Sequence, residues 1–237
     1  MSYKKEILSL ISKTDIIISD LDKTLCRGRV SESIGAGYIR KEIKTGNYLR
    51  AAGAIKHAVD IKMMLRRMNG AQDAEVIGLK RFYEILIDYG LGDASTMSYF
   101  STNHVRNKMI PSVLDVVNPF SMPKIIVTLS GSIGAEVAKS FFGFDYVLSN
   151  KDQFNEDGKL TGIKIKMMTG MDKIEAVREV IKQFGVPINR CTVIGDGVAD
   201  IPLLKEAKVK IASPFASKSV FALPEIIKLK PIFDTVH

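Results

Sequence analysis

The chain has 237 residues, enough for one large α/β domain or for a core of about 150 residues carrying a smaller insert. Hydrophobic residues make up 46 % of it and charged residues 25 %, the balance of an ordinary soluble globular protein; its two cysteines, Cys26 and Cys191, are too few for a disulfide framework and read as reduced thiols. The formal net charge of +8 is spread along the whole chain among interleaved acids, which speaks against nucleic acid as the main partner and for anionic substrates.

The opening stretch, MSYKKEILSLISKTDIII, has no apolar core followed by a small-residue cleavage site. No segment approaches the roughly 18 uninterrupted apolar residues of a membrane span. A cytoplasmic protein with no membrane partner is expected. Along the chain, five short runs rich in β-branched residues stand out: 15–19 (DIIIS), 124–129 (KIIVTL), 145–148 (DYVL), 191–195 (CTVIG) and 209–212 (VKIA). Each is nearly continuously apolar, as strands buried on both faces are, and helical patterning separates them. That predicts a parallel sheet with helices on both sides.

The segment from about Ser31 to Arg106 has no strand-like run. It carries long helical patterns at 37–67 and 75–89, the second broken by Gly90 and Gly92, and predicts an all-helical subdomain inserted into the sheet domain. Within it Met63, Met64 and Met68 with Leu65 form an apolar stripe expected to pack as core. Farther on, helical spacing recurs at 133–142 and 172–184, the latter stopped by Gly185 and Pro187. Asn155-Glu156-Asp157-Gly158, flanked by Phe154 and Leu160, is a candidate hairpin turn. His57, His104 and His237 are scattered without ligand spacing and read as structural or surface residues.

Functional groups in open parallel sheets gather beyond the carboxyl ends of the strands, where strand order reverses. The first run leads into Ser19-Asp20-Leu21-Asp22-Lys23-Thr24-Leu25, the second into Ser130-Gly131-Ser132, and the fourth into Gly195-Asp196-Gly197-Val198-Ala199-Asp200. Lys173 opens the helix before the fourth run. Four carboxylates, a hydroxyl and a lysine are thus delivered toward one edge. Each piece alone is common in turns; their joint order after β-rich runs is what carries the reading.

DLDKTL at 20–25 resembles the first signature of the haloacid dehalogenase superfamily, Ser130 its second motif, Lys173 its third, and GDGVAD at 195–200 its fourth; the pattern is most similar to the phosphoserine-phosphatase branch. The resemblance implies a doubly wound, Rossmann-like α/β core of residues 1–26 and 107–237, with a helical cap at 27–106 that closes over the site. It further implies a phosphatase acting on a small phosphorylated metabolite: Asp20 as nucleophile forming an aspartyl-phosphate, Asp22 as general acid and then base, and Ser130 and the Gly131 N–H as phosphate donors. Lys173 would compensate charge on the phosphoryl group. Mg²⁺ is the implied cofactor, held by Asp20, the Asp22 carbonyl and Asp196, with Asp200 holding waters or orienting Lys173. A phosphotransferase or mutase would use the same residues, and a non-catalytic anionic-ligand or RNA-binding module would not need both Asp20 and Asp22.

The segment departs from that branch where a glutamate reads the substrate's amino group: Arg29 stands near that position, with Glu32 three residues on, and Ala199 replaces a common asparagine. Arg29, with Arg50 or Arg66 from the cap, is therefore expected to meet a second anionic group on the substrate. An exposed arginine on a mobile flap is the plainer alternative.

Overall fold

Alternation at period two decides which face each strand buries, and here both faces are apolar. In the computed structural model, which describes residues 3–68 and 73–231, Ile17, Ile126 and Ile194 point into one core while Ile16, Ile18, Ile125 and Val193 point into another. The elements run α1 (Tyr3–Ile11), β1 (Ile16–Ser19), α2 (Val30–Lys44), α3 (Tyr48–Arg67), α4 (Ala74–Asp88), α5 (Ala94–Lys108) and α6 (Pro111–Val117). Then follow β2 (Lys124–Gly131), α7 (Ser132–Phe142), β3 (Tyr146–Phe154), β4 (Leu160–Lys164), α8 (Gly170–Lys182), β5 (Cys191–Gly195), α9 (Ile201–Glu206), β6 (Val209–Ala212), α10 (Lys218–Phe221) and β7 (Ile227–Lys228).

The sheet order is β4-β3-β2-β1-β5-β6-β7, and every pairing is parallel except β3 with β4. The chain builds outward from β1 through β2 to β3, then returns to β5 on the other side of β1. Strand order therefore reverses at β1, and the crevice beyond its carboxyl end lies between the ends of β2 and β5. This is the expected doubly wound α/β sheet.

All five sequence-read strands are present. β3 runs on to Phe154 because its far half pairs with β4 across the expected turn, where Gly158 adopts a φ of +72°. The edge strands β4 and β7 are short and carry no apolar run that would mark them in the sequence. Between β1 and β2 the described residues hold helices α2–α6 and no strand. The single helical pattern at 37–67 is broken in two at Thr45-Gly46-Asn47. Gly46 takes a φ of +79° there, a left-handed turn that a continued helix forbids. The methionine stripe is not core: in α3 only Ala51 and Ala54 are buried, and Met63 is exposed.

His104 is buried on α5, its Nδ1 2.6 Å from the Ser33 hydroxyl on α2, while Nε2 has no hydrogen-bond partner among the described residues. Burial, assisted by nearby Lys108, pushes its pKa down to about 4. The unfolded chain takes up a proton near the ordinary histidine value and the folded chain does not. This group's contribution is therefore intact above about pH 6.5 and is lost as pH falls toward 4. Urea midpoints measured from pH 7 to 4.5 should fall less steeply for His104→Asn than for the parent. His237 lies outside the described residues.

Candidate active site

Asp20 follows the last residue of β1, and its N–H donates to the Ile194 carbonyl of β5 at 3.0 Å, so sheet pairing itself fixes the carboxylate at the switch point. The chain then turns sharply: the Leu21 carbonyl accepts the N–H groups of Thr24, Leu25 and Cys26, and Lys23 sits at a φ of +59°. That turn brings Asp22 back to the edge. Its Oδ1 accepts the N–H of Val30, the first residue of α2, at 2.9 Å, and its Oδ2 accepts a short hydrogen bond from the Ser130 hydroxyl. Burial raises the Asp22 pKa against the opposing pull of these two bonds.

Lys173 lies in the first turns of α8, which begins with a reciprocal cap between Thr169 and Asp172. Its ammonium is almost wholly buried and bridges Asp20 Oδ1 at 2.8 Å and Asp200 Oδ1 at 2.6 Å. Burial alone would lower its pKa; the two carboxylates outweigh that and hold it charged. Asp200 Oδ2 in turn accepts the N–H groups of Asp196 and Gly197, at 3.1 and 3.0 Å, folding the loop after β5 onto the site. Gly195 is obligatory in that fold, because a Cβ there would stand 2.5 Å from Cβ of Asp200.

Asp20, Asp196 and Asp200 each offer a carboxylate oxygen, all within 4.8 Å of one another. Burial, then repulsion among these carboxylates, raises Asp20 to about 7 and Asp196 to about 9, although Lys173 pulls Asp20 the other way. Asp196 accepts from the Thr24 hydroxyl at 3.3 Å and has no ion-pair partner among the described residues. A dense, oxygen-only donor set with uncompensated negative charge fits a hard divalent cation.

The sequence-read residues Asp20, Asp22, Ser130, Lys173, Asp196 and Asp200 thus line one cavity. Gly131 ends β2 beside it, packed so closely that a Cβ would meet Asp152 Oδ1 and the Tyr83 hydroxyl at 2.2 Å. Arg29 also lines the cavity, but it is paired with Glu75 of α4 through a short ion pair. Arg66 reaches the cavity wall and Arg50 does not. Glu75 itself was not legible in the sequence. Nor was the short hydrogen bond from Tyr83 of α4 to Asp152 of β3, which ties the helical segment to the sheet edge. Buried Asn150 was missed too: it bonds the Leu129 carbonyl and both polar backbone groups of Met167, joining the end of β2 to the approach to α8. No spacing in the chain marks these partners.

The parallel sheet with its carboxylates at the switch point is the layout of one large class of hydrolases. The chain belongs to the haloacid dehalogenase-like hydrolase family, which it matches over residues 17–205. It is 28 % identical over 116 residues to a phosphoserine phosphatase of Saccharomyces cerevisiae, covering 48 % of this chain and 38 % of that protein. To a phosphoserine phosphatase of Methanocaldococcus jannaschii it is 30 % identical over 99 residues, covering 40 % of this chain and 46 % of that one. The matched stretches thus span less than half the length of these curated relatives. Among solved structures, a phospho-aspartyl intermediate analogue of phosphoserine phosphatase superposes with a TM-score of 0.68 at 18 % identity, covering 92 % of this chain and 94 % of that one. A substrate-bound phosphoserine phosphatase complex gives 0.65 at 18 % identity, covering 91 % and 93 %, and both show a shared fold. Among the described residues no helix is long and apolar enough to cross a membrane.

Two outcomes follow from the electrostatics. Lys173→Met leaves Asp20 and Asp200 buried without their cation, and urea denaturation at pH 8 in EDTA should show a loss of about 3–5 kcal/mol. A carboxyl whose folded pKa is raised must give up a proton to bind a cation below that pKa. An excess of Mg²⁺ should therefore raise the melting temperature more at pH 9 than at pH 6.

Proposed function

We propose that this chain is a Mg²⁺-dependent phosphatase that hydrolyses a small phosphomonoester through an aspartyl-phosphate on Asp20. The observation that carries the reading is the meeting of Asp20, Asp22, Ser130, Lys173, Asp196 and Asp200, drawn from four separated segments, in one cavity. Family membership and the relatives' phosphatase names support it. Mg²⁺ would be held by Asp20, Asp196 and the Asp22 carbonyl, with Asp200 supporting the site, and would neutralise the charge that otherwise opposes approach of a phosphate dianion.

Asp20 is placed as the nucleophile because Lys173 takes its Oδ1 and thereby fixes the carboxylate's rotation. Attack by a carboxylate oxygen on phosphorus forms the acyl phosphate as the ester P–O bond breaks. Asp22, with its pKa raised, is protonated readily enough to give its proton to the departing alkoxide. The same carboxylate then takes a proton from water as that water attacks phosphorus, releasing phosphate and restoring Asp20. Ser130, now bonded to Asp22, and the Gly131 N–H are the donors for phosphoryl oxygens, and Lys173 offsets negative charge growing at Asp20 and the phosphoryl group.

Residues 27–106 act as a cap over this edge, excluding bulk water from the phosphoryl group. The role expected for Arg29, meeting a second anionic group, changes with Glu75 as its partner. The pair is already charge-matched, so we place Arg29 as a link between the start of α2 and the start of α4 at the mouth of the site.

Asp20→Asn should abolish p-nitrophenyl phosphate turnover while the melting temperature stays within a few degrees of the parent or rises, since a buried charge is removed. EDTA should abolish the parent's turnover and Mg²⁺ restore it. Turnover at the parental rate by Asp20→Asn would overturn the mechanism.

A further inference from the structure

The cavity that contains the carboxylates does not end at them. Its volume is about 820 Å³, near the upper end of the roughly 300–1,000 Å³ of small-molecule sites, and it continues from the sheet edge up between α2, α3 and α4. A phosphoryl group with a few-atom alcohol fills only its lower end. The composition of its walls changes along its length, and helix directions show how.

α2 and α4 run the same way, both starting at the catalytic edge. Arg29 just before α2 pairs with Glu75 at the start of α4, and higher up Gly35 lies against Phe82, where a Cβ would be 3.1 Å from the ring. α3 runs the opposite way: Leu65 near its end lies against Gly78 early in α4, and Gly53 near its start lies against Tyr89 just past the end of α4. Residues near the beginnings of α2 and α4 and the end of α3 are therefore close to the carboxylates. There the walls are polar, with Arg29, Ser31, Glu32, Arg66 and Glu75.

Farther from the edge the walls become apolar. They are made by Ala36 and Ile39 of α2, Ala54 and Ala58 of α3, and Phe82 and Ile85 of α4. At 1.5 Å per helical residue, the span from Ser31 to Ile39 is roughly 12 Å. The Tyr38 hydroxyl, in this upper part, is already engaged with Asp93, accepting its N–H at 3.0 Å. Lys62, an exposed side chain, is the charged group that reaches furthest along the wall. Lys62 stands about level with Phe82; beyond it no charged residue among the described residues lines the cavity, so a charged group there would find no partner, whereas a hydrocarbon would cover Ile39, Phe82 and Ile85, all of which are only partly buried. Small residues at Gly35, Ala36, Ala54 and Ala58 keep that space clear of side chains.

We infer that the alcohol part of the substrate is a hydrocarbon chain, so that the protein acts on the phosphomonoester of an amphiphilic, lipid-like alcohol. The inference rests on the phosphatase reading for the headgroup and on the apolar upper cavity for the chain. Each methylene withdrawn from water favours binding by about fourfold, so chain length is the sensitive variable.

The test is kcat/KM for a series of n-alkyl phosphates from methyl to dodecyl, kept below their micellar concentrations, with O-phosphoserine alongside. We expect a rise of about two- to fourfold per methylene that levels off once the chain outruns the roughly 12 Å of cavity wall from Ser31 to Ile39, with phosphoserine far below the plateau. Rates indifferent to chain length, or phosphoserine as the best substrate, would overturn the inference. In Ala58→Phe, which narrows the upper cavity from a helix surface position, the plateau should come at a shorter chain. An unmoved plateau in a variant with a native melting curve would also overturn it. If neither these esters nor p-nitrophenyl phosphate is turned over, the hydrolase reading fails by itself. Calorimetric titration with the same alkyl phosphates then decides the cavity: affinity climbing with chain length supports the inference, and flat affinity overturns it.

Discussion

One buried ammonium holds the site together. Lys173 reaches between Asp20, just past the strand at the centre of the sheet, and Asp200, on the loop after the neighbouring strand. Three charges withdrawn from water are tolerable only if they stay within contact of each other, so the end of β1, the start of α8 and the loop after β5 must keep their relative positions. Ionising Asp196 as well would place a further negative charge beside Asp20 and Asp200, which is part of why its pKa is pushed up. Folding thus prepares a place where a cation is favoured and where an incoming phosphate, without one, is repelled.

The helical segment shares one apolar cluster with the sheet domain, Val30, Ile34, Leu79 and Met97 packing with Ile126, Ala135 and Leu160, and polar contacts add further ties near the catalytic edge. Tyr83 of α4 meets Asp152 of β3, and Arg29 meets Glu75. Asp22 is the more consequential tie, since its carboxylate accepts the N–H of the first residue of α2 while also receiving the Ser130 hydroxyl. Any tilt of α2 therefore changes the hydrogen bonding of the carboxyl proposed to move the proton. The position of α2 and the proposed acid–base geometry share one group, which would give closure of the proposed cap a direct route to the chemistry.

The central strands were legible because a parallel strand buried on both faces is apolar at nearly every position, and 16–19, 125–129 and 191–195 are, apart from Ser19, Thr128 and Thr192. β4 and β7 were not, since a short edge strand needs few apolar residues and looks like a loop. The broken helix at 45–47 was missed because hydrophobic spacing carries across a three-residue turn. The methionines of α3 misled for a related reason: periodicity shows that a helix has an apolar face but not what lies opposite it. Here one such face borders a cavity and another is exposed.

The residue types at the site, and the order in which they arrive, were determined by the sequence, because the motifs at 20–25, 130–132 and 195–200 stand at strand ends that sheet topology sends to one edge, while Lys173 arrives on the helix before β5. Their pairings were decided only by the tertiary structure. Lys173 could have met any of four carboxylates, and Arg29 is neutralised by a glutamate 46 residues away. The shape and lining of the space above the carboxylates were decided there too. They depend on the relative direction of three helices and on which small residues face inward, which are properties of packing between elements rather than of any one segment.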